Sequence, residues 1–132
     1  MNYSYDDLLT MARTLWGEAR GEPDSGKIAV AWVIRNRAEK SGKSIADVCL
    51  QPHQFSCWFD GQAPKVRTRT NAQLGVLLPI ARGVLDGQIL DNTQGANHYH
   101  TILRPAGVKR WPPAWAEGHR GTTIGSQIFY RI

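Results

Sequence analysis

The stretch GEARGEP, residues 17–23, carries two carboxylates four positions apart, Glu18 and Glu22. Glu18 follows apolar residues at helical spacing and stands shortly before the expected end of that helix. Apolar neighbours such as Leu15 and Trp16 would screen its carboxyl group from water and raise its pKa, as a general acid requires. A solvated glutamate near a helix end is the alternative, and position alone does not decide between the two.

Glu22 has a different setting, because it precedes Pro23 and stands near the start of the next helix. A carboxylate at that point complements the helix dipole or caps the helix, so the pattern predicts a structural role for Glu22. Arg20 lies between the two acids and can pair with either of them or with an anionic ligand.

The segment NHYH, residues 97–100, is a second group of residues that can do chemistry. On a β-strand, His98 and His100 would point to one face and Tyr99 to the other. Such a pair can bind a metal ion, with His119 as a third ligand, but no HExxH helix accompanies it. A wall that contacts sugar or peptide fits as well, and we expect neither a metal nor another cofactor.

Aromatic residues recur in two loop-like segments, HQFSCWFDG and RWPPAWAEG. Phe55, Trp58, Trp111 and Trp115 stand there, where aromatic rings can stack on the apolar faces of sugar rings. Trp residues also fill the cores of small proteins, and we expect two or three of the five in this chain to do only that.

The elements that must position these groups start with two helices. Ser4 and Asp7 form a capping signature for a first helix that should end close to Arg20. A second helix is predicted from about Asp24 to Lys40, with apolar residues on nearly all sides, as in a central buried helix.

Further along, the pattern predicts a short helix that reaches Leu50 and a long one from about Asn71 to Asp86, kinked at Pro79. The segments 96–103 and 122–132 each read as a β-strand. The sequence therefore predicts one α+β domain, residues 1–132, with helices in the first two thirds and a β-rich last third.

The charge balance favours anionic partners. Sixteen Lys and Arg residues oppose eleven Asp and Glu residues, which gives a net charge of +5. Such a surface attracts nucleic acid, anionic lipid or acidic wall polymers. The basic residues are dispersed and no base-reading element is evident, so we expect no nucleic-acid function.

The two cysteines, Cys49 and Cys57, are eight positions apart and form no CxxC pair. This spacing excludes zinc-finger and thioredoxin-type sites. A single disulfide and two buried thiols are both possible, and we favour buried thiols.

Four blocks of sequence stand in order along the chain: ARTLWGEARGEPDSGKIAVAWVIRNR, QPHQFSCW, GANHYH and TTIGSQIFYR. Together they cover nearly the whole chain and resemble the SleB-like cell-wall hydrolases, the spore cortex-lytic enzyme family. The resemblance implies a lysozyme-like α+β fold with a glycan groove between a helical part and a β-rich part. It also implies cleavage of the bond between N-acetylmuramic acid and N-acetylglucosamine in peptidoglycan.

The same resemblance implies roles for individual residues. The first acid of the family's GEARGE motif is catalytic and matches Glu18, while the second matches Glu22, to which we assign a supporting role. One departure is that Gln127 stands where a His is common in the family. The segments that line the family's groove match those containing Phe55, Ser56, Trp58, His98, Tyr99 and His100.

Chemistry then separates two reactions on this glycan. A hydrolytic glycosidase needs two carboxylates, about 5–5.5 Å apart when retaining and about 6.5–9.5 Å apart when inverting. Asp60 and Glu117 are the candidates for the second acid, and both stand beside Gly in turn-like segments. A lytic transglycosylase needs one acid/base only, because the C6 hydroxyl of the substrate attacks. We therefore favour a transglycosylase over a muramidase or glucosaminidase.

The expected setting is that of a monomeric phage endolysin of a Gram-negative host. No apolar run approaches the roughly 18–20 residues that span a bilayer, and the N-terminal residues are acidic and polar rather than signal-like. We expect synthesis in the cytoplasm without a signal peptide and action on the wall in the periplasm after release. Two other functions stay open: a metal-dependent peptidoglycan amidase that uses the histidines, and a non-enzymatic polyanion-binding domain.

Overall fold

The computed structural model describes residues 1–59, 61 and 63–132. Six α-helices in this part of the chain precede three short strands. The helices are α1 Tyr5–Ala19, α2 Asp24–Ser41, α3 Ile45–Leu50, α4 Ala63–Arg67, α5 Asn71–Leu74 and α6 Leu77–Leu85. The strands are β1 His98–Thr101, β2 Thr122–Ile124 and β3 Gln127–Tyr130. Short 3₁₀ helices occur at Ser56–Trp58 and Ala114–Ala116.

Helix α1 begins where the capping signature predicts. The hydroxyl of Ser4 accepts a hydrogen bond from the main-chain N–H of Asp7 at 3.0 Å, and the Asp7 carboxylate accepts one from the N–H of Ser4 at 2.9 Å. This reciprocal pair satisfies two N–H groups that the first turn leaves without a partner. The helix ends at Ala19, next to the predicted stop at Arg20.

Helix α2 is central, as its apolar pattern predicts, and its bounds agree with the sequence to within one residue. Helices α1, α2 and α6 pack against one another and bury the largest share of the core. No helix in the described part of the chain is both long and apolar enough to cross a membrane.

The predicted long helix from Asn71 to Asp86 is wrong, because the chain forms two helices that are interrupted after Leu74. Gly75 has φ 53° and ψ −124°, a conformation that ends α5 and that a glycine adopts without steric cost. Pro79 is the third residue of α6, where a main-chain N–H has no partner inside the helix. Pro79 therefore fits the first turn and does not kink a longer helix.

The last third of the chain contains less strand than predicted. Segment 122–132 is a hairpin rather than one strand, since Gly125 and Ser126 make a two-residue turn between β2 and β3. Gly125 has φ 61°, and a glycine at the first central position is typical of the type II′ turn. The three strands form one antiparallel sheet in the order β1-β3-β2, so the predicted α+β class is confirmed with a small sheet.

Candidate active site

Glu18 lies in a cavity of about 580 Å³, which we call the Glu18 cavity. The last turn of α1 supplies Glu18, and α2, the segment 53–59, β1, the segment 105–115 and β3 supply the rest of the lining. The cavity thus lies where the helical part meets the sheet. Its aromatic and polar lining includes Ser56, Phe59, Tyr99, His100, Trp111 and Trp115.

The carboxyl group of Glu18 has a pKa that is shifted close to neutral pH. Burial raises its pKa from an ordinary 4.5 to about 7. Its charge in turn acts on two neighbours: it contributes to the raised pKa values of the Tyr99 hydroxyl and the Cys57 thiol, although burial is the larger cause for both. A carboxyl group with this pKa holds or releases a proton near neutral pH, as a general acid/base must.

A close contact between Gly17 and Cys57 holds the segment of residues 56–58 against helix α1, beside Glu18. A Cβ atom at Gly17 would lie 2.7 Å from the Cys57 sulfur and 3.3 Å from the Val66 side chain, so only a glycine fits. The segment that carries Ser56 therefore lies directly against α1. Both Cys49 and Cys57 are buried and unbonded, as favoured from the sequence, and burial raises the pKa of each thiol to about 12.

The alternation predicted for NHYH is confirmed. The rings of His98 and His100 lie 5.1 and 5.7 Å from the ring of Trp115, while Tyr99 stacks on Phe129 at 5.5 Å. The two histidines thus help to hold an aromatic wall.

His100 is engaged at both ring nitrogens. Nδ1 donates to the main-chain oxygen of Thr101 at 2.7 Å, because a carbonyl can only accept, and Nε2 pairs with the Tyr130 hydroxyl at 2.9 Å. His119 is exposed. Among residues 1–59, 61 and 63–132, no three His, Cys, Asp or Glu residues are placed to hold a metal ion.

Two aromatic residues that the resemblance assigns to the groove do not line the Glu18 cavity. Phe55 is 1% exposed and belongs to the core. Trp58 packs against the core, and its indole N–H donates to the Thr14 hydroxyl at 2.9 Å. Trp111 and Trp115 line the cavity instead, from the segment between β1 and β2.

Arg20 lies on the other side of Glu18. It lines a recess of about 280 Å³, the Trp16 recess, together with Trp16, Glu18 and Ser56. Its guanidinium carbon lies 4.1 Å from the centre of the Trp16 ring and its Nη1 donates to the main-chain oxygen of Trp16. No described carboxylate pairs with Arg20, so its remaining donors face solvent or a ligand.

Glu22 connects the two parts of the fold. Its carboxylate accepts hydrogen bonds from the main-chain N–H of Ser126 at 2.9 Å and from the Ser126 hydroxyl at 2.7 Å. A Cβ atom at Gly125 would lie 2.7 Å from the same carboxylate, so the turn needs a glycine for space as well as for its φ angle. Glu22 thus joins the α1–α2 connection to the β2–β3 turn.

Of the two candidates for a second acid, Glu117 belongs to the described residues. Asp60 lies outside the described residues. Glu117 is exposed, pairs with Arg110 at 2.8 Å and does not line the cavity. Within residues 1–59, 61 and 63–132, Glu18 is the one carboxylate in the lining.

Several polar residues that line the cavity were not assigned to the site from the sequence, among them Arg37 and Gln127. Arg37 reaches the Glu18 cavity from helix α2. In the sequence it could not be distinguished from a charged residue on the solvent-exposed face of a helix. Gln127 is 5% exposed and also lines the cavity, yet its Oε1 has no hydrogen-bond partner among the described residues. The only indication in the sequence was that Gln127 stands where a His is common in the family.

The sequence matches a family model described as Cell Wall Hydrolase over residues 21–130. The spore cortex-lytic enzyme of Halalkalibacterium halodurans is 37% identical over 99 residues, 74% of this chain. That of Oceanobacillus iheyensis is 42% identical over 62 residues, 46% of this chain. The chain spans 28% and 22% of the lengths of these two relatives.

Two solved structures share the fold. The catalytic domain of the germination-specific lytic transglycosylase SleB from Bacillus anthracis superposes with a TM-score of 0.77 at 28% identity, over 98% of both chains. The catalytic domain of the Bacillus cereus SleB protein gives a TM-score of 0.79 at 27% identity, over 98% of this chain and 93% of that one. The predicted lysozyme-like α+β fold is thereby confirmed. Because the family model covers well over half of the sequence, this chain belongs to the cell wall hydrolase family.

Proposed function

We propose that this chain cleaves the β-1,4 bond between N-acetylmuramic acid and N-acetylglucosamine in peptidoglycan, as a lytic transglycosylase with Glu18 as general acid/base. The observation that carries the proposal is a partly buried carboxyl group with a pKa of about 7, in a cavity that Trp111 and Trp115 line. The similarity to the catalytic domain of a lytic transglycosylase over 98% of both chains supports it. The family match begins at residue 21, after Glu18, so the role of Glu18 rests on its geometry.

The reaction needs one proton that Glu18 donates and then recovers. Protonated Glu18 gives its proton to the glycosidic oxygen as the bond from that oxygen to C1 of the muramic acid breaks. The C6 hydroxyl of the same sugar then forms a bond to C1, and its proton passes to the Glu18 carboxylate. The products are a 1,6-anhydro ring and a strand that ends in a free C4 hydroxyl, and Glu18 is again protonated.

Trp111 and Trp115 support this function by offering flat apolar surfaces for sugar rings. Ser56 and Tyr99 add hydroxyl groups to the lining of the same cavity, and His100, engaged at both ring nitrogens, adds its ring. We assign to these side chains the positioning of the muramic acid, so that its C6 hydroxyl reaches C1 before water does.

The test is mass spectrometry of muropeptides released from purified Gram-negative peptidoglycan. The native protein should release products one water lighter than hydrolysed muropeptides, and Glu18→Gln should release none. Glu117→Gln is the matched control, since that carboxylate is exposed and outside the cavity, and it should behave as the native protein. Intact strands with the native protein would contradict the proposal.

Hydrolysis is the second candidate reaction, because Asp60 is adjacent in sequence to a residue of the cavity and could supply a second carboxylate. Asp60 follows Phe59, which lines the Glu18 cavity. Asp60→Asn should leave the anhydro products unchanged if the reaction is transglycosylation. Reducing-end muropeptides from the native protein, lost in Asp60→Asn, would establish a hydrolase with two carboxylates.

We extend the proposal to the substrate's source: the periplasmic wall of Gram-negative cells, reached after release from the cytoplasm as phage endolysins do. The net charge of +5 supports attraction to anionic wall material in general. Digestion of Gram-negative sacculi beside spore cortex, at equal saccharide concentration, tests it, and faster digestion of cortex would contradict it.

A further inference from the structure

A separate recess adjoins the Glu18 cavity on the side of α2. It has a volume of about 410 Å³, and we call it the Arg37 recess. It shares Arg37 and Gln54 with the Glu18 cavity, so the two spaces are neighbours. Its other polar lining residues are Lys40, Ser41, Gln51, Asn97 and His98.

The lining of the Arg37 recess is basic. Arg37 and Lys40 contribute positive charges, and no described residue of the lining is acidic. Burial and these two charges lower the pKa of His98, which also lines the recess, so the local potential is positive. Such a surface favours an anion over a neutral sugar.

Arg37 is held rigidly but keeps donors available. Its Nε donates to the main-chain oxygen of Asn97 at 2.7 Å, its Nη1 donates to Oε1 of Gln54 at 3.3 Å, and its guanidinium carbon lies 5.2 Å from the centre of the Phe55 ring. A guanidinium group has five N–H donors, and these contacts use two. None of the ion pairs among the described residues includes Arg37. A half-buried cation without an anion is costly unless a ligand supplies one.

We infer that the Arg37 recess binds a free carboxylate of the peptide stem carried by the glycan strand. The inference rests on the proposed function. In peptidoglycan the stem is attached through the lactyl group at C3 of the muramic acid, the same ring whose C1 bond is cleaved. The saccharide backbone itself is uncharged when this lactyl group is amide-linked, so the stem carboxylates are the nearest anions. A site next to the Glu18 cavity is placed to receive them and to hold the muramic acid over Glu18.

The experiment compares two forms of the same soluble, uncross-linked glycan strands. Stem amines are acetylated in both, and in one form the stem carboxylates are then converted to amides, which removes charge and keeps shape. The native protein should cleave the carboxylate form with a kcat/KM about tenfold or more above that of the amide form, as expected for charge-assisted hydrogen bonds.

Two variants and a matched control locate the effect. Arg37→Gln should lose most of the preference for the carboxylate form. Lys40→Glu should raise KM for the carboxylate form about threefold to tenfold more than for the amide form, since a single exposed charge contributes modestly. Lys43→Glu makes the same charge change at an exposed position outside the recess and should retain the preference.

The outcomes separate the inference from the proposed function. Equal kcat/KM of the native protein on both forms would overturn the inference and leave the proposed function intact. Equal losses on both forms in Arg37→Gln and in Lys40→Glu would also overturn it, since they indicate a structural role or general attraction to polyanions. Failure of the native protein to cleave either form would refute the proposed function itself.

Discussion

Glu18 and Arg37 line the same cavity, yet the described structure contains no ion pair between them. Burial alone accounts for the raised pKa of Glu18, and no cation lowers it. The carboxyl group therefore keeps a proton to give at neutral pH, while the guanidinium group stays available to a ligand.

The first prediction concerns the pH dependence of activity. Because Glu18 must be protonated at the start of the reaction, kcat/KM for glycan cleavage should fall as pH rises through about 7. The titratable groups around the carboxyl include Tyr99 and Cys57, both with raised pKa values. His53, His100 and Arg37 line the same cavity, and Arg20 lines the Trp16 recess. Loss of the descent in Glu18→Gln would be expected of Glu18 and not of the histidines. A rate profile from pH 5 to 9 measures this, and constant kcat/KM up to pH 9 would rule out Glu18 as the acid.

The second prediction links the same pKa to stability. Between the ordinary value of 4.5 and about 7, the folded protein binds the Glu18 proton more tightly than the unfolded chain does. This contribution to the free energy of unfolding is complete below pH 4.5 and is lost as pH rises through 7. Glu18→Gln should therefore be more stable than the native protein by up to about 3 kcal/mol at pH 8.5 and equally stable near pH 4.

Urea unfolding at both pH values gives the comparison. Glu117→Gln serves as the control, because its exposed carboxylate should produce no such pH-dependent gain. A difference for Glu18→Gln that does not change with pH would mean that burial does not raise the pKa of Glu18.

The third prediction concerns the contact between Gly17 and Cys57. Gly17→Ala should lower the free energy of unfolding by about 1–3 kcal/mol, because the new methyl group would overlap the Cys57 side chain. The displaced segment carries Ser56, so kcat should fall as well. Gly21→Ala is the matched control, since a Cβ atom there meets nothing within 4 Å. Equal effects of the two substitutions would contradict the packing described.

The fourth prediction concerns Glu22 and Ser126. Glu22→Gln should destabilise the fold by about 1.5–3 kcal/mol, the range for a hydrogen bond to a charged group. A double-mutant cycle with Ser126→Ala should give a coupling energy of about 0.5–3 kcal/mol. The kcat/KM that remains in Glu22→Gln should still fall as pH rises through about 7, because Glu22 stabilises the fold and does not transfer the proton. A shifted descent would instead assign Glu22 to the chemistry.

The fifth prediction concerns the unpartnered Oε1 of Gln127. Gln127→Leu should raise the free energy of unfolding by about 1 kcal/mol, because it removes a buried acceptor that lacks a hydrogen bond. If this atom meets a substrate N–H or O–H, the same variant should show a higher KM. Thermal unfolding and steady-state kinetics on one preparation measure both, and an unchanged KM would leave Gln127 without a substrate contact.

Much of the helical part could be predicted because its signals are local. The capping pair Ser4 and Asp7, the apolar periodicity of α2 and the stop before Pro23 act within a few residues. The break after Leu74 was missed because apolar periodicity continues across Gly75, and the φ angle of one glycine overrides it. The hairpin at Gly125 was missed for the same kind of reason.

Residues of the site were predicted only where a motif in the sequence indicated a chemical role. Glu18 was selected because it matches the first acid of the GEARGE motif, while its apolar neighbours alone left a solvated glutamate as an alternative; the raised pKa agrees with the selection. The sequence around Arg37 did not predict a place in the site, because contacts with Asn97 and Gln54, which are distant in sequence, hold its side chain there. Phe55 and Trp58 were assigned to the groove through the family resemblance and their loop-like segment. The sequence of such a segment does not distinguish an aromatic side chain that packs in the core from one that lines a groove.

Glu18 lines both the Glu18 cavity and the Trp16 recess. If saccharides occupy both spaces, the bond that Glu18 protonates has sugar rings on either side. A site with room on both sides accepts a bond in the interior of a strand, whereas a site closed on one side accepts only a chain end. The enzyme would then be endo-acting. Early in digestion, average strand length would fall steeply and few disaccharide units would be released.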